Sequence, residues 1–252
     1  MVTRRLVVCL DVKGDRVVKG IQFESLRDVG DPVDLAQRYE ADGADEVVYL
    51  DISASTEERS TLLDLARRTA ERLFIPLTIG GGIRSANDVA NALRAGADKV
   101  GVNTAAVESP EILTECAVRF GSQCVVASID AKRQGDTWLV YTRGGRTPTT
   151  LDAVTWAREC VRRGAGELLI TSIDRDGART GYDLELTAAI ADVVDVPVVA
   201  SGGAGSASDV CDALVRGRAD AALVAGILHE GVTTVQHIKE EMARHGIPVR
   251  AA

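Results

Sequence analysis

Short apolar runs, rich in Val, Ile and Leu, alternate down the chain with segments whose apolar residues fall three and four apart. The runs predict strands at 5–11, 47–51, 76–80, 98–102, 125–130, 167–172, 197–201 and 221–225. Stretches such as "PVDLAQRYEADG", "ERSTLLDLARRTAERL" and "SPEILTECAVRFG" between them predict amphipathic helices, several opening on Ser, Asp or Pro and closing on Gly, as helix caps require. Strands apolar on both faces imply a parallel sheet covered by helices. Eight β/α units favour a closed (β/α)8 TIM barrel, and no linker divides residues 1–252, so one domain is expected.

The chain also repeats itself. Laying "LTIGGGIRSANDVANALRAGADKV" over "VVASGGAGSASDVCDALVRGRADAA" places Gly81 and Gly82 on Gly202 and Gly203, and Asp88 on Asp209. The same offset carries Glu46 onto Glu167, and Asp11 meets Asp130 two positions short of it. Two half-barrels of four units each are the reading that follows; chance likeness among β/α units is the plain alternative.

The first and fifth strands end on carboxylates, "LVVCLD" at Asp11 and "VVASID" at Asp130. Chemistry in such barrels gathers at the C-terminal ends of the strands. The first and fifth strands stand opposite in a ring of eight, so the two aspartates should face one another across the mouth as a general acid and base. Loop capping by Asp is the ordinary alternative for either one alone.

Each half adds a glycine-rich turn, "GGGIRS" and "SGGAGS", beside "VNTAA" and "AGIL". Glycines let backbone N–H groups approach an anion at a helix start. Two phosphate seats are therefore expected, Gly82 with Asn103 and Thr104, and Gly203 with Ala225 and Gly226, helped by Gly177. The substrate should be a small bisphosphate lying across the aspartates, with Asp176 of "SIDRDGARTGYD" near its ribose hydroxyls. That acidic loop lacks the register of a calcium site, and no metal or cofactor is called for. Lys19 lies in a connection, 12–31, long enough to be a lid. There it is a candidate phosphate clamp, Schiff-base lysine or ordinary solvated side chain.

At the opposite end, Arg5, Glu46, Lys99 and Glu167 start four of the strands. They form either a solvated rim or a paired plug closing the central passage.

Bulk properties narrow the partners. A net charge of −8 argues against nucleic acid or an anionic membrane as the main partner, without excluding a local anion pocket. The chain has no apolar run near the roughly 20 residues of a membrane span. Five cysteines without C-x-x-C spacing suit reduced thiols in a cytoplasmic protein. His237 and His245 fall in an expected terminal helix and carry no expected role.

With those residues noted, the whole chain resembles the cyclase subunits of imidazole glycerol phosphate synthases of histidine biosynthesis. The motifs that carry the resemblance are "CLDV…GDRVVKG", "LRDVGDP", "LDISAS", "GGGIRS", "GADKVGVNTAAV", "FGSQCVVASIDAKR", "GAGELLITSIDRDG…GYD" and "ASGGAG". The resemblance implies that Asp11 and Asp130 are the acid–base pair and that Lys19 helps bind substrate. It implies a lyase reaction in which ammonia and phosphoribulosyl-formimino-AICAR phosphate give imidazole glycerol phosphate and AICAR. It further implies a heterodimer with a glutaminase docked at the N-terminal barrel face, near Asp98, and an ammonia gate at Arg5, Glu46, Lys99 and Glu167. The sequence departs from the family pattern at Gly14-Asp15, Gln22, Gly101, Ala178 and Gly226. Rival readings are the two-phosphate sugar isomerase of the same pathway, a Schiff-base aldolase using Lys19 or Lys99, and a non-catalytic glutaminase activator.

Overall fold

Strand β1 (Arg5–Lys13) starts a closed ring in a computed structural model that describes residues 2–21, 24–52 and 56–250, with side chains except at 19–21, 24–27 and 56–60. Strands β2 (Arg16–Ile21) and β3 (Glu24–Gly30) precede helix α1 (Pro32–Ala41). Next come β4 (Glu46–Asp51), α2 (Thr56–Ala70), β5 (Leu77–Gly80), α3 (Ala86–Arg94) and β6 (Lys99–Val102). Helices α4 (Thr104–Glu108) and α5 (Glu111–Phe120) complete the first half. The second half runs β7 (Val125–Gln134), β8 (Thr137–Thr142), β9 (Thr147–Asp152), α6 (Ala153–Arg162), β10 (Glu167–Ser172) and α7 (Leu184–Ala191). It ends with β11 (Val198–Ser201), α8 (Ala207–Val215), β12 (Ala221–Val224), α9 (Gly226–His229) and α10 (Val235–Arg244).

Parallel pairing runs β1–β4–β5–β6–β7–β10–β11–β12 and back to β1, a closed (β/α)8 barrel. One apolar core fills the space between ring and helices, centred on residues such as Leu6, Tyr49, Ile79, Leu113 and Ile170. A second, smaller cluster lies inside the ring: Val7, Cys9, Val48, Val126, Leu169, Val199, Ala221 and Leu223. Successive strand residues point to opposite faces, so these positions fix which residues look into the lumen.

The half-barrel repeat extends to details of capping. Asp31 caps α1 and Asp152 caps α6, each taking a backbone N–H of the first turn. Ser85 and Ser206 cap α3 and α8 in the same way. Both halves also carry a hairpin after their first ring strand. Residues 12–31, expected to be a long lid, are instead mostly β2 and β3, an antiparallel continuation of β1. Asp11 and Asp130, expected to end their strands, are followed by two and four further strand residues that pair with β2 and β8. Each ladder turns back at Gly-Asp, with Gly14 at φ +61° and Gly135 at φ +60°. Glycine first is the pattern of a type II′ hairpin turn, so Gly14-Asp15 forms the same tight turn that Gly135-Asp136 forms. The hairpin was hard to read because charged residues interrupt its apolar alternation.

Aspartates before three ring strands stitch neighbours together. The backbone N–H groups of Leu6, Leu77 and Val198 donate to Asp45 (2.8 Å), Asp98 (2.8 Å) and Asp220 (3.1 Å). At the fourth equivalent position stands Gly166, where a Cβ would sit 2.3 Å from the Ser122 carbonyl oxygen. Among the described residues no helix is long and apolar enough to cross a membrane. All five cysteines are free thiols.

Candidate active site

The N-terminal end of the lumen is closed by alternating charges. Arg5 donates from Nη1 to Glu46 Oε2 and from Nη2 to Glu167 Oε2, both at 2.7 Å. Across the ring, Lys99 Nζ reaches Glu46 Oε2 at 2.8 Å and Glu167 Oε1 at 3.0 Å. Thr78 Oγ1 adds a 2.7 Å hydrogen bond to Glu46 Oε1. Burial pulls the Arg5 pKa down, but the two carboxylates outweigh it and the net shift is upward. Both glutamates are buried, and buried charges persist only when paired and hydrogen-bonded. The paired plug, not a solvated rim, is what the fold contains. Lys99 Nζ is engaged by both carboxylates, which argues against a Schiff-base role for it.

At the other end β1 and β7 stand four places apart in the ring, and Asp11 and Asp130 share the inward parity of Cys9 and Val126. The two carboxylates therefore meet across one mouth. Asp11 Oδ1 lies 4.0 Å from Cys9 Sγ on the same strand face. Asp130 accepts a 2.9 Å hydrogen bond from Asn103 Nδ2. Its carboxyl is pushed up to about 7, first by burial and then by the Asp176 charge, with the Asn103 bond opposing both. Although the residue keeps some exposure at the mouth, the protein packed around the carboxyl removes most of its hydration. A group with that pKa is available in either protonation state near neutrality.

The glycine turns sit where β5 and β11 open towards α3 and α8. Gly81 and Gly202 adopt φ +88° and +87°. A Cβ would lie 2.2 Å from the Asp51 carbonyl oxygen at the first and 2.8 Å from that of Ser172 at the second. Gly203, at φ +105°, takes the Gly181 N–H on its carbonyl at 2.9 Å and ties the 175–183 turn to the mouth. Asn103 and Ala225 begin the short helices α4 and α9 in nearly the same unusual backbone conformation. Loops after the seventh and eighth strands with a short extra helix are the usual phosphate site of this architecture, and here the arrangement occurs in both halves. Gly82 and Gly226 lie in these turns; Gly177, at φ +73°, lies in the turn after β10.

A scan for known families matches residues 5–234 to the histidine biosynthesis protein family. The chain is 71% identical to the imidazole glycerol phosphate synthase subunit HisF of Myxococcus xanthus, over all of this chain and 99% of that protein. It is 55% identical to the protein of the same name from Thermosynechococcus vestitus, over the whole chain and 92% of the relative. The chain belongs to the imidazole glycerol phosphate synthase HisF family. Both relatives are synthase subunits, so the isomerase reading is set aside.

Within that family frame, several expected residues have additional contacts. Thr104 Oγ1 accepts the backbone N–H of Arg143, at the tip of the β8–β9 hairpin, at 2.9 Å; its own O–H remains a donor. Asp98 is exposed at the N-terminal face while holding Leu77. Lys19 belongs to β2, but its side chain lies outside the described residues, as does Gln22. Ala178 donates its N–H to the Arg175 carbonyl at 3.0 Å, a bond any residue there can make.

Two features escaped sequence reasoning. The β8–β9 hairpin was signalled by alternation in "TWLVYT", whose Trp138, Val140 and Thr142 are buried. His229 was not singled out: its Nε2 sits 3.0 Å from the Cys9 carbonyl oxygen and its Nδ1 2.8 Å from the Tyr39 hydroxyl. Burial raises the Tyr39 pKa and keeps the phenol a donor, so His229 carries its proton on Nε2 and braces β1 two residues below Asp11.

Proposed function

We propose that this chain is the cyclase subunit of imidazole glycerol phosphate synthase, joining ammonia to phosphoribulosyl-formimino-AICAR phosphate and releasing imidazole glycerol phosphate and AICAR. The observation that carries the reading is one barrel with opposed Asp11 and Asp130 at its mouth and a closed ring of buried charges at its base. Asp130, poised near neutrality, and Asp11 exchange protons with the reacting amidine and the departing amine, one as acid and the other as base. Gly82, Asn103 and Thr104 seat one phosphate; Gly203, Ala225, Gly226 and Gly177 seat the other. Asp176 takes ribose hydroxyls, and Lys19 clamps the substrate from the first hairpin. At Gly226 a backbone N–H contact replaces the hydroxyl contact of the usual serine.

A glutaminase subunit supplies the ammonia from the N-terminal face. Val2 and Phe74 are exposed apolar residues a few positions upstream of β1 and β5, and exposed apolar groups there suit an interaction surface. The quartet Arg5, Glu46, Lys99 and Glu167 acts as the gate, which opens when one ion pair parts. An activator without chemistry of its own would need neither a carboxylate tuned to neutrality nor two phosphate seats.

The test is an ammonia-dependent assay of the isolated chain at mildly alkaline pH, following the absorbance of the formimino substrate. Turnover with ammonia alone is the expected result. Its absence, with glutaminase activation intact, would leave only the activator role.

A further inference from the structure

Asp176 sits on a segment with no ladder of its own. The chain leaves β10 at Ser172 and runs through turns and bends until α7 starts at Leu184. The Asp176 N–H is given to the Ser172 carbonyl at 2.9 Å, which closes the first turn. The Asp176 backbone then passes over Gly202, where an added Cβ would lie 3.5 Å from its Cα. The Asp176 side chain is exposed at the mouth. An exposed carboxylate on such a segment keeps a fixed place only when a rigid scaffold holds the segment from outside.

The hairpin of β7 and β8 is that scaffold, and it holds both ends. At the start of the segment the Ile173 N–H donates to the Ala131 carbonyl at 2.9 Å, and Asp174 Oδ2 accepts the Arg133 N–H at 2.7 Å. At its end the indole N–H of Trp138 donates to Asp183 Oδ2 at 3.1 Å, while Asp183 Oδ1 caps α7 by taking the Leu186 N–H at 3.0 Å. Trp138 is buried, and a buried indole N–H ordinarily finds a partner. Arg133 and Trp138 face each other across the ladder, so one cross-strand pair grips the two ends. The Arg133 guanidinium stiffens the grip, lying 4.9 Å from the indole ring centre and reaching Glu185 Oε2 at 2.5 Å.

The half-barrel repeat does not require this arrangement. Three residues after the Gly135 turn stands Trp138; three residues after the matching Gly14 turn stands Val17, buried and with no polar group to give. We propose that Trp138 and Asp174 are positioning residues, through which the second hairpin fixes the 172–183 segment so that Asp176 stands at a set distance from Asp130 and from the ribose. Neither touches the reacting atoms. The proposal rests on the synthase reading, which supplies the role of Asp176, and it names what holds that residue in place. The carboxylates that face Asp130 are Asp176 and, across the mouth, Asp11; of the two, Asp176 is the one mounted on a segment that the hairpin can release.

The test follows the Asp130 titration by carboxyl-carbon NMR, beside steady-state kinetics of the isolated chain with ammonia. Trp138→Phe keeps an aromatic ring and changes no charge, yet deletes the donor to Asp183. Asp174→Ala deletes the acceptor at the other end. Each should lower the Asp130 midpoint from about 7, because Asp176 recedes. Each should also raise KM about two- to tenfold, the range one hydrogen bond carries, with a smaller change in kcat. The deciding step is a double-mutant cycle with Asp176→Asn. With the charge at 176 gone, Trp138→Phe should shift the midpoint no further. An equal fall in that background would mean that the hairpin only shields Asp130 from water, and it overturns the proposal. A midpoint unchanged in both single variants overturns it as well. Should one of them fold poorly, the other decides, since they act at opposite ends of the segment. The NMR titration needs no turnover, so a wild-type chain inactive with ammonia would strike the synthase reading while the positioning role is still judged.

Discussion

Asn103 Nδ2 donates to Asp130 Oδ2 at 2.9 Å, and this bond is what keeps the Asp130 carboxyl from rising further than about 7. Three influences meet on one group: burial and the Asp176 charge favour the neutral acid, and the Asn103 amide favours the anion. Removing each should move the titration in a known direction. The kcat/KM profile of the wild type is expected to show an inflection near pH 7. Asp176→Asn should lower that inflection and Asn103→Ala should raise it. Identical profiles in all three proteins would assign the inflection to another group.

The same carboxyl links stability to pH. Its folded pKa lies above the unfolded value near 3.9, so the native state binds this proton more tightly than the unfolded chain. Its contribution is fully favourable below the unfolded pKa and is lost as pH rises through about 7. Asp130→Asn removes the buried charge and should stabilise the protein at pH 8, by up to about 4 kcal/mol, and hardly at pH 4. Urea unfolding at the two pH values checks this. A loss of stability at both would mean that the carboxylate is better accommodated than its surroundings imply.

Catalysis should depend on both aspartates. Asp11→Asn and Asp130→Asn are each expected to lower kcat by at least about 100-fold, with KM little changed, because the change touches proton transfer and leaves the phosphate seats intact. Steady-state kinetics with ammonia as the nitrogen source gives both constants. Near-normal turnover in either variant removes that residue from the chemistry.

Glu46 joins Arg5, Lys99 and Thr78 at one buried point. Glu46→Ala strands two cations that then share Glu167 alone, and should cost about 3–5 kcal/mol of stability. Denaturation midpoints of this variant against wild type, at constant m-value, test the figure. A change below about 1 kcal/mol would show the quartet behaving as a solvated rim.

Gly203 is held at φ +105° with the Gly181 carbonyl oxygen 2.3 Å from any added Cβ. Gly203→Ala should lower stability by about 2 kcal/mol or more and raise KM more than it lowers kcat, since it displaces one phosphate seat. A wild-type KM would detach Gly203 from substrate binding.

Much of this molecule was legible one residue at a time. All eight ring strands fall within a residue or two of their expected starts, because buried parallel strands write a continuous apolar run that needs no partner to be recognised. The duplication was equally visible at Gly81 and Gly202, where a backbone angle forbids a side chain. The hairpin at β2 and β3 was not, since an exposed ribbon with Arg16 paired to Asp28 carries little apolar alternation.

The linear sequence determined the eight-unit alternation, the two halves, and the equivalence of Asp11 and Asp130 on the first and fifth ring strands, since each follows from periodicity and local backbone chemistry. Ring closure decided the rest. Only closure brings Arg5 to Glu167 and Lys99 to Glu46, and sets Asn103 against Asp130. Those contacts join strands far apart in the chain, and side-chain distances across a barrel depend on shear and packing, which no local pattern encodes.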